Sequence, residues 1–131
     1  LQSGAVLVAG CGTAVAIDLV DAQGRHRGGL IAPGPALMRE AVLGRTGRVD
    51  WQREGQVVAF GNSTEDALQS GCWQAAAALV ARALAAATRE LGAAPALVLH
   101  GGDAQALALL LDPAARIVPA LVFEGMLRHA R

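Results

Sequence analysis

The sequence predicts an α/β fold in which a three-stranded antiparallel meander is followed by further short strands and by helices packed on the sheet. Two observations support this prediction. The first third of the chain contains short apolar runs separated by turn residues, and the remainder alternates helical apolar patterns with further apolar runs. The order is β-β-β-α-(β)-α-β-α-(β)-α. Because 53% of the 131 residues are hydrophobic, the chain can bury the core of one domain, residues 1–131.

The meander is predicted from three segments near the start of the chain. Residues 5–9 form a continuous apolar run, which is typical of a strand covered on both faces. Residues 14–21 alternate in character, as a strand with two distinct faces does. Turn residues at 21–24 lead into a third predicted strand at 26–32, which a Pro-Gly-Pro sequence ends.

Two helices are predicted in the middle of the chain. The first begins at Pro35, since proline suits the first turn of a helix, and extends to residue 43. A polar loop at 44–55 and a short strand or extended segment at 56–60 follow it.

The second of these helices carries the clearest start signal in the sequence. Ser63 and Asp66 form a capping-box pattern, and apolar residues at helical spacing continue to Leu91 before Gly92. Its alanine-rich apolar face allows close approach to a sheet or to another helix.

The last third of the chain contains four shorter predicted elements. Residues 96–99 are a buried-type strand, and Asp103 is placed to cap a helix over residues 104–111. A short strand at 116–118 and a closing helix at 121–131 complete the order.

Composition excludes several classes of function. Eleven basic residues balance eleven acidic ones, so the chain lacks the basic surface on which nucleic-acid binding depends. No apolar run is long enough to predict a membrane span, and the opening Leu-Gln-Ser-Gly predicts no signal peptide. Cys11 and Cys72 match no metal or redox spacing, which predicts reduced thiols in a cytoplasmic protein.

Paired glycines follow two of the predicted strands, at Gly10/Gly12 and at Gly101/Gly102. Glycine-rich turns let backbone N–H groups converge on phosphate oxygens, and Thr13 adds a hydroxyl at the first turn. At Gly101/Gly102 the backbone carries no side chains, so an adenine or a ribose can lie against it. The alternatives are a tight hairpin at the first turn and a simple strand-to-helix link at the second.

Five short motifs resemble the C-terminal half of the type III pantothenate kinases, the family that includes the Bvg accessory factor proteins. In order along essentially the whole chain, they are GTA-x-x-x-D at 12–18, G-x-x-x-GG-x-I-x-PG at 24–34, T-x-x-A-x-x-x-G at 64–71, GGDA at 101–104 and L-V-x-E-G at 121–125.

The resemblance implies both a fold and a reaction. It implies one ribonuclease H-like half of the acetate and sugar kinase, Hsp70 and actin superfold, with the N-terminal half of the kinase absent from these residues. It implies transfer of the γ-phosphoryl group of ATP to pantothenate, the first step of coenzyme A synthesis. It also implies use of Mg²⁺ and of a monovalent cation, K⁺ or NH₄⁺, in a homodimer. The helix at 63–91, rich in alanine and leucine, is the candidate for the contact with the absent half or with the partner subunit.

By the same resemblance, individual residues acquire roles. Gly12 and Thr13 correspond to a loop that contacts the phosphates of ATP, and Gly101 and Gly102 to the adenosine side of the site. Thr64 corresponds to a pantothenate contact. The alternative for Thr64 is helix capping beside Ser63. Asp18 either faces the cleft or faces solvent.

The chain also departs from the family pattern. Gly10 stands where the resemblance implies an aspartate that helps to hold the monovalent cation, and Ala16 replaces a threonine near the phosphates. The resemblance implies that the catalytic base belongs to the N-terminal half, so residues 1–131 alone are predicted to be inactive. His26, His100 and His129 have no carboxylate at motif spacing and are predicted to be surface or structural residues.

Two other functions remain open at this point. A non-catalytic accessory or regulatory protein of the same fold is favoured by the two departures and opposed by the preserved Thr13 and Thr64. The second is a kinase of the same superfold that acts on a sugar or another small acid.

Overall fold

The computed structural model describes residues 4–46, 53–111 and 115–119, and confirms an α/β fold with a three-stranded meander. Within these ranges, five strands form one mixed sheet in the order β3-β2-β1-β4-β5. The pairs β1–β2 and β2–β3 are antiparallel, whereas β1–β4 and β4–β5 are parallel. The elements are β1 Val6–Cys11, β2 Ala14–Val20, β3 His26–Pro33, α1 Pro35–Thr46, α2 Thr64–Leu91, β4 Ala96–His100, α3 Ala104–Ala108 and β5 Arg116–Ile117.

The main core lies between one face of this sheet and helix α2. Side chains that alternate along β1, β2 and β4 point to the same face, as the period of two requires. The residues of α2 that meet them are small, so the helix axis lies close to the sheet. The buried members from the strands are Leu7, Ala9, Cys11, Val15, Ile17, Leu19, Leu97 and Leu99, and those from α2 include Ala76, Val80, Ala83 and Ala87.

The central strand β1 is buried on both faces, as its continuous apolar run predicts. Val6 and Val8 point away from α2 and form a second buried cluster with Val98 of β4. A parallel pair of this kind needs a long crossover connection, which the sequence between β1 and β4 supplies with the meander and both long helices.

Several element ends differ from the prediction. Helix α1 continues to Thr46 into the predicted loop, and α3 ends at Ala108 instead of residue 111. The segment at 56–60 is not a strand, because its backbone bonds to side chains of α2 instead of to the sheet. The predicted helix at 121–131 lies outside the described residues.

The predicted side-chain cap at Asp103 is wrong. Asp103 precedes α3, but its side chain makes no capping hydrogen bond. Its φ of −97° and ψ of 3° lie outside the extended region that a capping residue normally adopts. The backbone of Asp103 is held instead by Cys11, whose carbonyl accepts its N–H at 3.0 Å.

The turn between β2 and β3 is stabilised by a buried carboxylate. Asp21 Oδ1 accepts hydrogen bonds from the backbone N–H groups of Gln23 and Arg25 at 3.0 and 2.9 Å. Its Oδ2 accepts from Arg25 Nε at 3.2 Å, with Arg27 at 3.6 Å. The hydrogen bond from the Arg25 backbone is the largest of the causes that lower the pKa of Asp21, and the one from Gln23 also contributes.

The substitution Asp21→Asn tests this arrangement. Because the pKa of Asp21 is lowered in the folded state, its charge stabilises the fold fully above the ordinary aspartate pKa and progressively less as the pH falls through the folded value. We expect Asp21→Asn to lower the urea midpoint at pH 7 and to reduce the loss of stability between pH 7 and pH 3. Glu40→Gln on the exposed surface of α1 is the control. An unchanged pH dependence in Asp21→Asn would contradict the assignment.

Candidate functional site

Three turns meet at one edge of the sheet. Strands β1 and β4 are parallel, with Gly10 opposite His100, so both chains leave the sheet at the same edge. The end of β3 reaches that edge as well, because Pro33 pairs with Ala14 at the start of β2. We call residues 10–13, 33–35 and 100–104 together the glycine corner. Carboxyl ends of parallel strands are common positions for ligand sites in α/β proteins.

Backbone hydrogen bonds hold the glycine corner together. The Gly34 N–H donates to the Thr13 carbonyl at 2.7 Å, which joins the second turn to the first. The Asp103 N–H donates to the Cys11 carbonyl at 3.0 Å, which joins the third turn to the first. The first turn is itself closed by the Gly12 N–H and the Ala14 carbonyl at 3.1 Å.

Contacts between backbones require glycine at two positions in the corner. A Cβ at Gly34 would collide with the carbonyl oxygen of Gly12. Gly101 has a φ of +101°, which side chains rarely permit, and a Cβ there would collide with the backbone of Cys11. By contrast, a Cβ at Gly12 or Gly102 would meet nothing within 4 Å. Close approach of backbone to backbone therefore explains Gly34 and Gly101, and leaves Gly12 and Gly102 open to the outside.

The outer surface of the corner is mostly backbone, with one hydroxyl. Thr13, Gly101 and Gly102 are exposed, and Gly12 is partly buried. Within the described part of the chain, neither the amide nor the hydroxyl of Thr13 has a hydrogen-bond partner. The structure thus brings together four of the five predicted site residues: Gly12, Thr13, Gly101 and Gly102. An exposed backbone surface with a free hydroxyl donor suits anionic oxygen atoms.

The fifth predicted residue, Thr64, lies at the first turn of α2. Ser63 caps this helix, since its Oγ accepts the Asp66 N–H at 3.2 Å, so Thr64 is not needed as the cap. Thr64 is exposed. An apolar groove between α1 and α2 extends from Pro33, in the glycine corner, to Ala67 and Leu68, which follow Thr64 on α2.

The carboxylate of Asp66 does not complete the predicted capping box. Its Oδ1 accepts instead from Arg53 Nη1 and from the Gln56 N–H, both at 2.8 Å. The hydrogen bond from the Arg53 guanidinium is the largest cause of the lowered pKa of Asp66, and the hydrogen bond from the Gln56 amide adds to the effect. Arg53 Nη2 also donates to Ser63 Oγ at 2.8 Å, so a cation lies beside the helix start that carries Thr64.

A row of polar side chains on α2 binds the backbone of the preceding segment, an arrangement that sequence analysis missed. Asp66, Ser70 and Gln74 are spaced by four residues and lie on one side of the helix. Ser70 Oγ accepts from Val58 N–H at 2.9 Å, and Gln74 Nε2 donates to the Val58 carbonyl at 2.8 Å. The available signal was this spacing of polar residues in an otherwise alanine-rich helix.

The prediction for His26 is wrong in one respect. His26 does have a carboxylate partner, because its Nε2 lies 2.6 Å from Oδ1 of Asp18. The two residues lie on neighbouring strands, β2 and β3, which the hairpin brings together. Asp18 is therefore partly buried against His26. His129 lies outside the described residues.

The described residues provide neither a thiolate nucleophile nor a cluster of three metal-ligating side chains. Both cysteines are buried and free, and burial, together with the charge of Asp103, raises the pKa of Cys11 to about 11. Its thiol is therefore protonated at neutral pH. No group of three or more His, Cys, Asp or Glu side chains that could hold a metal ion occurs in residues 4–46, 53–111 and 115–119. Within the same ranges, no helix is long and apolar enough to cross a membrane.

Comparisons with known proteins point to one family. A family profile described as type III pantothenate kinase matches residues 1–86. Proteins named type III pantothenate kinase from Stenotrophomonas maltophilia strain K279a and Xanthomonas campestris pv. campestris strain B100 are 48% and 47% identical to this chain. These alignments cover 95% and 92% of this chain but only 51% and 49% of those proteins. The chain spans about half the length of the curated relatives it matches.

A solved structure is also similar over most of the chain. It is a crystal structure from Campylobacter jejuni of a conserved protein described as a Baf family transcriptional activator. The TM-score is 0.63 at 30% identity, and the match covers 96% of this chain and 56% of that one.

Substitution of the neighbouring glycines 101 and 102 tests the construction of the corner. We expect Gly101→Ala to destabilise the protein by about 1–3 kcal/mol, because an alanine at this φ is strained and its Cβ collides with Cys11. Gly102→Ala meets open space and is expected to change stability by less than about 0.5 kcal/mol. Urea unfolding measures both. Equal stability of the two variants would show that the corner is not packed as described.

Proposed function

Because the chain belongs to the type III pantothenate kinase family, we propose that the protein containing it phosphorylates pantothenate with ATP, the first step of coenzyme A synthesis. Three of the five motifs, those at 12–18, 24–34 and 64–71, lie within the residues that the profile matches. The substrate, the nucleotide and the partial role of this chain are our proposals, since the chain spans about half of those relatives.

In this proposal, residues 1–131 form a single domain equivalent to the C-terminal half of a two-half kinase. The sheet is one ribonuclease H-like half of the acetate and sugar kinase, Hsp70 and actin superfold. The sheet topology supports this assignment: the meander β1–β3 is extended by the parallel strands β4 and β5, and α2 covers one face. The catalytic base is supplied by the other half, and residues 1–131 alone are inactive.

The observation that carries the proposal is the convergence of Thr13 with Gly101 and Gly102 at the glycine corner. These residues lie about ninety positions apart in the chain, and the β1–β4 pairing makes them neighbours through the Asp103–Cys11 hydrogen bond. The uncommitted Thr13 hydroxyl and amide fit phosphate oxygens, and the exposed backbone at Gly101–Gly102 fits the flat surface of the adenosine group.

The chain's contribution to catalysis is positioning and charge stabilisation, which dominate phosphoryl transfer. ATP supplies the γ-phosphoryl group. The Thr13 hydroxyl donates to a phosphate oxygen, and the hydrogen bonds from Gly34 and Asp103 fix the turn so that this donor needs no rearrangement during the reaction. Among the described residues, no group of three or more His, Cys, Asp or Glu side chains could hold Mg²⁺ by itself. When bound, this ion would neutralise charge on the phosphates of ATP.

In this proposal, pantothenate lies between the glycine corner and the start of α2. The molecule has a hydroxyl at one end, a carboxylate at the other and apolar methyl groups between them. The groove from Pro33 to Leu68 suits the apolar part, and the start of α2, with Thr64 and Arg53, suits the carboxylate. The hydroxyl then faces the glycine corner. A homodimer in the cytoplasm completes the proposal, with Cys11 and Cys72 reduced.

A non-catalytic accessory or regulatory role is the second candidate. The similarity to a Campylobacter jejuni protein described as a transcriptional activator favours it, as do the departures at Gly10 and Ala16. Release of ADP by the full-length protein, with and without pantothenate, separates the two functions. Pantothenate-dependent ADP release supports the kinase, and a folded protein that releases no ADP supports the accessory role.

Thr13→Ala tests the phosphate contact. We expect kcat to fall about 100- to 1,000-fold, because one preorganised donor to a developing charge is lost. Thr13→Ser keeps the hydroxyl and should retain most of the rate. Steady-state ADP release by the full-length protein provides the measurement. If Thr13→Ala and Thr13→Ser were equally active, the hydroxyl would not contact a reacting phosphate.

Thr64→Ala tests the pantothenate contact. Since Ser63 is the helix cap, we expect α2 to remain folded while KM for pantothenate rises about tenfold and KM for ATP stays unchanged. Thr88→Ala is the matched control, because Thr88 lies near the other end of α2 and its hydroxyl donates to the Leu84 carbonyl. An equal rise in KM for both substrates, or a rise in Thr88→Ala as well, would contradict the assignment.

A further inference from the structure

The family resemblance implies an aspartate at position 10 that helps to hold a monovalent cation, and the structure shows what lies there instead. Gly10 is opposite His100 in the parallel β1–β4 ladder and opposite Ala16 in the antiparallel β1–β2 ladder. Register partners in a sheet carry their side chains on the same face. A row of three residues, Ala16, Gly10 and His100, therefore crosses three neighbouring strands.

The His100 ring lies over Gly10. A Cβ placed on Gly10 would be 2.6 Å from His100 Nε2 and 3.0 Å from Cε1, closer than side chains approach each other. The space into which a side chain at position 10 would extend is therefore filled by the imidazole. Aspartate cannot be accommodated at position 10 unless His100 moves.

No side-chain oxygen in this row can hold an alkali cation, since the row consists of Ala16, Gly10 and His100. Such ions are held by several oxygen atoms, as in channels where backbone carbonyls replace the hydration shell. Three carbonyl oxygens of the first turn, those of Cys11, Thr13 and Ala14, already accept backbone N–H groups that hold the corner together. The group that fills the space is an imidazole, which suits zinc, copper, iron and nickel instead.

We propose that this protein transfers the phosphoryl group without a monovalent cation at position 10, the site being closed by the imidazole of His100. The inference rests on the proposed kinase function and changes one of its requirements. It follows from the lack of a side-chain oxygen in the row of Ala16, Gly10 and His100, and from the His100 ring that fills the space over Gly10.

The first experiment compares salts in the full-length protein. ADP release with ATP, Mg²⁺ and pantothenate is measured in KCl, NH₄Cl, NaCl and choline chloride at equal ionic strength. We expect rates that agree within about twofold. Activation by K⁺ or NH₄⁺ of more than about tenfold over choline would overturn the inference and leave the kinase function intact.

Absence of ADP release in every salt would contradict the proposed function instead. Calorimetric titration of KCl into the same full-length protein with ADP then decides the inference independently. No heat of binding beyond that of choline chloride supports a closed site, and saturable K⁺ binding overturns it.

The second experiment tests the filled space itself by a double-mutant cycle in the full-length protein. We expect Gly10→Asp to lower the Tm by about 2–4 °C, because the His100 ring has to move to admit the new side chain. Adding His100→Ala should recover most of that loss, although His100→Ala alone is not stabilising. Either an unchanged Tm in Gly10→Asp or strictly additive effects would show that the ring does not occupy the site.

Discussion

The parallel pairing of β1 with β4 is the constraint on which the rest of the structure depends. It extends from Val6 opposite Ala96 to Gly10 opposite His100 and brings together segments separated by about ninety residues. A parallel ladder requires a crossover, and α2 supplies it while covering one face of the sheet with small side chains. The carboxyl ends of the two strands then meet, and the glycine corner is the direct consequence. Without this ladder, Thr13 would belong to an ordinary hairpin turn and Gly101 to an ordinary helix start.

The features that could be predicted from the sequence are those that local patterns determine. The meander and both ends of α2 follow from apolar periodicity, turn residues, Ser63 and Gly92, and the structure places them within one or two residues. The features that were missed depend on partners distant in sequence. Asp66 has the spacing of a capping box, yet Arg53 and the Gln56 amide compete for its carboxylate and bind it instead.

The glycines of the corner show the same division within a few residues. Their clustering after two strands pointed to the right place, and the structure brings the clusters together. Their separate reasons could not be predicted, because Gly34 and Gly101 are required by contacts with the first turn, whereas Gly12 and Gly102 face outward. Sequence pattern identifies where backbone is exposed or crowded. Only the packing of one turn on another distinguishes the two cases, and only the outward-facing glycines are suited to contact a ligand.

The departures at positions 10 and 16 lie side by side in the sheet. Considered separately, the loss of an acidic side chain and the loss of a hydroxyl suggest a site that is decaying. In the structure the two residues are neighbours on one face, and the large side chain in the same row, His100, lies over the smaller of them. The imidazole occupies the space that a larger side chain at position 10 would need, and the neighbouring corner keeps its backbone hydrogen bonds. These two observations support the altered cation requirement proposed above.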